Sequence, residues 1–202
     1  MKKNIFRIGI VLTILITFIS ACATSSSGGR SGSVDFALVI IDVQNDYFEG
    51  GSHTLHNPLG ALNNAEKILN QFRTRSLPVI HVQHVNPKGA GFFELDTWGV
   101  QIHEKLTPLG NEPVVVKHQI SSFAGTELAD ILKERGINRL IICGMQTNIC
   151  VETTSKDAKA RGFSIVVLED ACAARSIEIH NNAIETLRRD YASITRTARF
   201  RF

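Results

Sequence analysis

Beyond residue 21, the sequence lacks an excess of charge of either sign. The 202-residue chain carries 22 Lys and Arg residues and 19 Asp and Glu residues. Three of the basic residues (Lys2, Lys3 and Arg7) and none of the acidic ones precede residue 22, which leaves 19 of each sign in the remainder. A balanced charge gives no electrostatic reason to expect an acidic partner. We therefore expect no binding to nucleic acid.

The sequence also lacks an apolar run long enough to cross a bilayer, which takes about 20 residues. The apolar stretch Ile8–Ile19 is shorter and follows the three basic residues, as in a secretory signal. It ends in Ile19-Ser20-Ala21-Cys22, which resembles the lipobox of bacterial lipoproteins. In that family the peptide is cut before the cysteine, which then carries lipid. The alternative is an ordinary signal peptide in which Cys22 follows a small residue by coincidence.

The lipoprotein interpretation divides the chain into three parts. Residues 1–21 are a signal peptide, residues 22–33 a Ser/Thr/Gly-rich flexible tether, and residues 34–202 one compact domain without repeats or a second linker. We therefore expect an exported protein that a lipid at Cys22 holds on a membrane of the bacterial cell envelope. In a Gram-negative source this would be the outer membrane, because Ala23 and not Asp follows the lipid site.

Cysteines are few, and their spacing excludes two common uses. Beyond Cys22 the chain has Cys143, Cys150 and Cys172. They form no C-x-x-C pair, and their spacing suits no metal site. A thioredoxin-like redox motif and a zinc-binding cluster are therefore not expected, and neither Cys143 nor Cys172 needs to form a disulfide.

Apolar runs alternate with helical patterns from residue 34 onwards, which is typical of an α/β protein. Six runs are predicted as strands, over residues 36–42, 77–85, 113–118, 139–144, 163–170 and 191–197. Four stretches have helical spacing, over residues 61–75, 126–135, 148–161 and 176–189. Strands separated by helices need crossover connections, which are right-handed. This order predicts a three-layer α/β/α sandwich around a mainly parallel six-stranded sheet.

Three chemically capable residues fall at the carboxyl ends of strands, where such folds bind ligands. Asp42 ends the first strand, Lys117 ends the third, and Cys150 follows the fourth. A helix N-terminus and a nearby ammonium both stabilise a thiolate, and a carboxylate can accept the thiol proton. Singly, each has an ordinary alternative as a turn carboxylate, a solvated lysine or a buried cysteine. Together they predict nucleophilic chemistry at this edge of the sheet.

Five blocks, in order, resemble the isochorismatase-like cysteine hydrolases over residues 35–197. The blocks are VIIDVQNDYF, VIHVQHVN, VVVKHQISSFAGTEL, LIICGMQTNICVETTSKDA and VVLEDACAARSIEIH. The resemblance implies a catalytic triad of Asp42, Lys117 and Cys150 and no cofactor. It also implies a cis peptide bond between Met145 and Gln146, and an oxyanion hole formed by the backbone N–H groups of Gln146 and Cys150.

The resemblance further implies that Cys150 attacks a carbonyl carbon while Asp42 moves the proton, so that water later releases an acyl-enzyme. True isochorismatases, which cleave a vinyl ether, generally lack the cysteine. Its presence favours hydrolysis of a C–N bond in a small amide, ureido or carbamoyl compound. A vinyl ether hydrolase and a nicotinamidase remain alternatives.

Nicotinamidases bind a metal through an Asp and at least two His residues after the second strand. In this sequence His84 and Asn86 stand where the first ligands would align, and no further histidine follows in that loop. His81 is three positions before His84, so the two should point to opposite faces of a strand. His53 and His56 are equally well ordinary loop residues. We therefore predict no metal site.

The substrate pocket is predicted from residues near the triad and from aromatic side chains. They are Tyr47, Phe48, Trp98, Ser122, Phe123 and Asn148. Core packing is an equal alternative for Phe123. The irregular segment Asn86–Glu112 is expected to cover the site in its own subunit or in a neighbour's, and we expect a homo-oligomer. Arg175 and His180 are expected to orient the loop after the fifth strand.

Two other classes of protein fit the same fold: a small-molecule-binding protein without catalysis, and a thiol sensor that uses Cys150. A binding role would not need all three triad residues together. A sensor with an exposed thiolate would need neither Asp42 nor Lys117.

Overall fold

The computed structural model describes residues 34–202. The predicted signal peptide, the tether and the lipid site at Cys22 lie outside the described residues and remain predictions. Within the described part of the chain, none of the helices combines the length and the apolar character needed to cross a bilayer.

Six parallel strands form one sheet in the order β3-β2-β1-β4-β5-β6. They are β1 (Phe36–Ile41), β2 (Val79–His84), β3 (Val114–Lys117), β4 (Arg139–Met145), β5 (Ser164–Ala173) and β6 (Ser193–Thr195). The central strands β1 and β4 are buried from their second residue to their last, as expected where both faces of a parallel sheet are covered. The predicted α/β class and the six-stranded parallel sheet are confirmed.

Four helices connect the strands. They are α1 (Pro58–Thr74), α2 (Leu128–Glu134), α3 (Glu152–Ala160) and α4 (Ile177–Asp190). With right-handed crossovers, this strand order places α1 on one face of the sheet and α2, α3 and α4 on the other. The chain leaves β1 towards one edge and β4 towards the opposite edge, so the crevice between their carboxyl ends is the switch point where such folds bind ligands.

Two segments differ from the prediction. The predicted helix 148–161 begins with a wide turn of π type, Thr147–Val151, and only then continues as α3. Apolar spacing does not separate these two helical forms. Strand β5 continues past Asp170 to Ala173, because Cys172 and Ala173 pair with Gly144 and Met145 of β4. The Asp170 carboxylate accepts from the backbone N–H and the hydroxyl of Thr197.

An ion-pair cluster joins the end of α1 to strands β2 and β3. Glu112 Oε2 lies 2.8 Å from Arg73 Nη2 and 2.9 Å from His81 Nε2. Burial raises the pKa of Glu112, but hydrogen bonds from Arg73, from the backbone N–H of Leu109 and from His81 outweigh it, so that the pKa falls to about 2. His81 is therefore a member of this cluster. It lies on the face of β2 opposite to His84.

We expect this cluster to stabilise the fold above pH 4.5. A carboxyl group with a lowered pKa contributes its stability above its ordinary value of 4.5 and loses it as the pH falls towards about 2. Glu112→Gln should lower the free energy of unfolding at pH 7 by about 1–3 kcal/mol. Urea unfolding between pH 2 and pH 7 measures this, with the exposed Glu134→Gln as control. Equal loss of stability on acidification in wild type and Glu112→Gln would contradict the prediction.

Candidate active site

The carboxyl ends of β1 and β3 and the turn after β4 bring Asp42, Lys117 and Cys150 together. Lys117 Nζ lies 2.9 Å from Asp42 Oδ2 and 3.3 Å from Cys150 Sγ. Asp42 and Lys117 are completely buried, and Cys150 is 5% exposed. The three residues proposed from the sequence thus form one contact group beside the switch point of the sheet.

The backbone at two positions shapes this group. Asp42 has a left-handed φ of 51°, which turns the chain sharply where β1 ends and which Asp tolerates better than most residues. Gly144, on the neighbouring strand, has a φ of 134°. A Cβ atom at Gly144 would overlap the carbonyl oxygen of Ile41, so only glycine allows β4 to approach β1 this closely.

Lys117 Nζ is fixed by more than its two triad partners. It also lies 3.0 Å from each of three further acceptors: His84 Nδ1 and the carbonyl oxygens of Gln119 and Ile120. An ammonium group has three protons to share among these five electron-rich neighbours. The position of the positive charge is therefore strongly determined, although the side chain is long and flexible.

The surroundings of Cys150 raise the pKa of its thiol. Burial raises the pKa of Cys150, the negative charge of Asp42 raises it further, and Lys117 opposes both without outweighing them. Burial likewise raises the pKa of Asp42 despite the neighbouring ammonium. These directions favour the protonated thiol, which agrees with the sequence-based expectation that Asp42 accepts the thiol proton before the sulfur attacks.

The oxygens of the Asp42 carboxylate are available to accept that proton. Its contact with Lys117 is an ion pair, and within residues 34–202 neither carboxylate oxygen accepts a hydrogen bond of regular geometry. A carboxylate oxygen of Asp42 and the Sγ atom of Cys150 lie within 4.8 Å of each other. Catalytic contacts are often longer without substrate and shorten when it binds.

The backbone before Cys150 turns tightly. The Met145–Gln146 peptide bond is cis. The Gln146 carbonyl oxygen accepts hydrogen bonds from the N–H groups of Ile149 and Val151, at 3.1 and 3.2 Å, whereas the Gln146 N–H donates to no backbone carbonyl of residues 34–202. This leaves the Gln146 N–H available to an oxygen of a bound substrate.

Helix α4 supports this turn from outside. Thr147 Oγ1 lies 2.9 Å from His180 Nδ1, and Thr147 is completely buried. The sequence predicts that His180 orients the loop after β5. In the structure, His180 instead packs against the turn that carries Cys150. Arg175 is exposed on that loop, and it lies near enough to Tyr47 to oppose slightly the burial that raises the pKa of the phenol.

Two of the predicted pocket residues flank the triad. Tyr47 is buried, and the charges of Asp42 and Cys150 add to the burial that raises its pKa. Asn148 lies in the turn before Cys150, and its Oδ1 is buried without a hydrogen-bond partner in the described part of the chain. That these two side chains contact a substrate stays a prediction.

Phe92 and Phe93 pack against Tyr47 from the same chain. Their rings stack with centroids 4.0 Å apart and lie 5.5 and 4.9 Å from the ring of Tyr47. The backbone N–H of Phe93 donates to the buried carboxylate of Asp46 at 2.6 Å, which attaches this part of the segment Asn86–Glu112 to the turn after β1. That the segment covers the site, in its own subunit or in a neighbour's, stays a prediction.

Four other predicted pocket residues point elsewhere. Phe48 and Trp98 line a separate groove of about 520 Å³. Ser122 is completely buried and its hydroxyl lies 2.9 Å from that of Thr154 on α3. Phe123 stacks on Phe163 with ring centroids 5.9 Å apart, which agrees with core packing. Phe48, Ser122 and Phe123 each follow a triad residue closely in sequence. The chain nevertheless turns Phe48 towards the groove, Ser122 towards α3 and Phe123 towards Phe163.

A divalent cation does not fit between Asp42, His84 and Cys150. Asp42, His84 and Cys150 offer ligand atoms within 4.8 Å of one another. However, Lys117 Nζ lies 2.9, 3.0 and 3.3 Å from these three atoms, so an ammonium already occupies the position of the cation. A divalent ion beside it would be repelled strongly in this buried setting. Asn86, at the second ligand position, bonds to His84 instead.

Comparison with known proteins assigns the family. The family model described as Isochorismatase domain matches residues 36–199. This chain belongs to the isochorismatase family. The isochorismatase family protein YddQ of Bacillus subtilis is 42% identical over 157 residues, which cover 77% of this chain and 87% of YddQ.

Two relatives within this hydrolase family are named for the amides they act on. Nicotinamidase 3 of Arabidopsis thaliana is 27% identical over 164 residues, which cover 75% of this chain and 79% of that protein. The crystal structure of N-carbamoylsarcosine amidase from Thermoplasma acidophilum matches with a TM-score of 0.76 at 28% identity, covering 83% of this chain and 99% of that one. The fold and the family are thus those expected from the five sequence blocks.

From the sequence, His84 was considered only as a metal ligand, and its bond to Lys117 was not predicted. His84 ends β2 and pairs directly with Lys117 in the register of β2 and β3. The rule that selected Asp42 and Lys117 at strand ends would therefore also have selected His84. Gln44 was missed as well: its side chain accepts from the His84 N–H and donates to the Val100 carbonyl, at 2.8 and 2.6 Å, and no sequence signal marks it.

Proposed function

We propose that this protein is a cysteine hydrolase that cleaves a C–N bond in a small amide, ureido or carbamoyl compound. The contact group of Asp42, Lys117 and Cys150 carries the proposal. A buried ammonium that contacts both a carboxylate and a thiol stabilises the anion on either side of a proton transfer. A binding site without catalysis has no use for this arrangement.

In the first half of the reaction, Asp42 accepts the thiol proton and Cys150 Sγ forms a bond to the carbonyl carbon. The carbonyl electron pair moves to the oxygen, where the N–H groups of Gln146 and Cys150 stabilise the negative charge. The C–N bond then breaks as Asp42 returns the proton to the departing nitrogen. Ammonia or an amine leaves, and a thioester remains on Cys150.

In the second half, a water molecule takes the place of the departed amine. Asp42 accepts a proton from this water, whose oxygen attacks the thioester carbon. The C–S bond breaks, the acid leaves, and the thiolate regains its proton from Asp42. Lys117 keeps its charge throughout, so that each anionic state of the site has a cation beside it.

The alternatives fit the geometry less well. A vinyl ether hydrolase of the isochorismatase type has no need of a thiol nucleophile. A thiol sensor needs an accessible thiolate, whereas Cys150 is 5% exposed and burial raises its pKa. Amidases among the relatives support C–N hydrolysis, and nicotinamide is one of the compounds to test.

The proposal predicts release of ammonia or amine without a metal. Purified protein should be assayed with small carboxamides, nicotinamide, ureido acids and N-carbamoyl amino acids, with isochorismate as the vinyl ether control. We expect turnover of at least one C–N compound, unchanged after EDTA treatment, because Lys117 occupies the cation position. Turnover of isochorismate alone, or activity that EDTA abolishes and zinc restores, would contradict the proposal.

We also propose that the protein is anchored through a lipid on Cys22. Two hydrophobic signals already give stable membrane attachment, and a lipoprotein amino terminus supplies at least two acyl chains. Cys22→Ala should abolish metabolic palmitate labelling in a bacterial host and move the protein out of the membrane fraction. Labelling that persists in Cys22→Ala would disprove the anchor, and Cys172→Ala serves as the control for labelling at another cysteine.

A further inference from the structure

We infer that His84 is a positioning residue for the catalytic ammonium of Lys117, with its tautomer set by Asn86 and the Phe92 carbonyl. The inference rests on the proposed function, since it concerns the cation of the same site. It assigns to His84 a role in placing Lys117 between Asp42 and Cys150. Through Asn86 and Phe92, the role also links the position of Lys117 to the segment Asn86–Glu112.

Each hydrogen bond in this series determines the direction of the next. Asn86 Nδ2 donates to the Phe92 carbonyl at 2.9 Å, because an amide nitrogen is the only part of Asn that can donate. Asn86 Oδ1 therefore faces His84 Nε2, 3.0 Å away, and must accept from it. A neutral imidazole with its proton on Nε2 has a lone pair on Nδ1. That lone pair accepts from Lys117 Nζ at 3.0 Å.

The surroundings keep His84 neutral. Burial lowers its pKa, the Lys117 ammonium and the more distant His118 lower it further, and Asp42 and the bond to Asn86 act in the opposite direction. The thiol of Cys150 faces the imidazole as well, within 4.8 Å of a ring nitrogen. A doubly protonated ring would direct an N–H at the ammonium, so the contact with Lys117 exists only for the neutral ring.

Loss of the His84 Nδ1 acceptor would change the position of Lys117 Nζ in the site. Lys117 Nζ then keeps the Gln119 and Ile120 carbonyl oxygens and the Asp42 carboxylate, which is its most strongly attracting partner. The 2.9 Å ion pair with Asp42 draws it away from Cys150 Sγ at 3.3 Å. The thiol loses the group that lowers its pKa. The backbone N–H of Asn86 also donates to the Phe93 carbonyl oxygen, so a displacement of Phe93 would disturb the same series of bonds.

Two variants of His84 separate its two nitrogens. His84→Asn keeps an acceptor oxygen near the place of Nδ1. His84→Gln keeps an amide near the place of Nε2 but has no acceptor at the position of Nδ1, where Lys117 makes its contact. Alkylation of Cys150 by iodoacetamide measures the thiol without any substrate. We expect His84→Gln to slow alkylation about tenfold, as for a thiol pKa raised by about one unit. His84→Asn should stay within about threefold of wild type.

Turnover and NMR complete the test. With a substrate found above, His84→Gln should lower kcat about tenfold with little change in KM. Long-range ¹⁵N–¹H spectra of the wild-type protein should show His84 with a bare Nδ1 and a protonated Nε2. In Asn86→Ala both tautomers should appear, because the acceptor that selects Nε2–H is gone.

The inference is overturned if His84 carries its proton on Nδ1, if His84→Gln alkylates at the wild-type rate, or if His84→Asn is as slow as His84→Gln. A wild-type tautomer in Asn86→Ala would remove Asn86 from the role given to it. The alkylation and NMR measurements need no amide substrate. Failure to find a substrate would therefore count against the proposed function and leave the inference on His84 to be decided by these two measurements.

Discussion

Cys150→Ala is expected to reduce hydrolysis to the uncatalysed background, a loss of about 10⁴–10⁶ in kcat. The thiol is the group proposed to form a bond to the substrate, and no other residue of the site can replace it. Folding should be preserved, since removing one sulfur atom leaves only a small cavity. Ammonia release measures the first effect, and urea unfolding the second.

Cys143→Ala is the matched control for this prediction. Cys143 lies on β4, completely buried, and burial raises the pKa of its thiol well above the ordinary range. Such a thiol is inert, so the variant should keep its activity while losing about 1–2 kcal/mol of stability from the cavity. Wild-type turnover in Cys150→Ala, or inactivity of a folded Cys143→Ala, would show that the wrong thiol has been assigned.

Lys117→Met and Asp42→Asn are each expected to lower kcat by about 10³ or more, and the double variant should be little worse than either. The three residues act as one unit, because the carboxylate moves the proton only while the ammonium stabilises both anions. Iodoacetamide labelling of Cys150 should also slow in Lys117→Met, since the ammonium lowers the pKa of the thiol. Labelling with an unchanged pH profile would remove Lys117 from this role.

Stability separates the chemistry of this pair from its structural role. Lys117 and Asp42 are completely buried, so Lys117→Met leaves an uncompensated carboxylate and should cost about 3–5 kcal/mol. The double variant Lys117→Met/Asp42→Asn removes both charges and should recover most of that loss in urea unfolding. It should nevertheless remain inactive. Recovery of activity together with stability would mean that the pair acts only by holding the fold together.

The sequence by itself determined the type of fold and the three residues at its reactive edge. Apolar runs such as those at residues 36–42 and 139–144 predict buried parallel strands, because the pattern of burial depends on neighbours that are close along the chain. Residues at the ends of such strands meet at one edge of the sheet. Asp42, Lys117 and Cys150 could therefore be brought together before any distance was known.

Only the tertiary structure decided the protonation and the surroundings of these residues. Whether Cys150 is a thiol or a thiolate depends on how completely other segments exclude water from it. Ser122 and Phe123 stand close to Lys117 in sequence, but contacts with Thr154 on α3 and with Phe163 turn them away. His84 acquires its partner because β2 and β3 pair in one register. Burial and pairing of this kind join segments that are distant along the chain, and no local pattern encodes the distances between them.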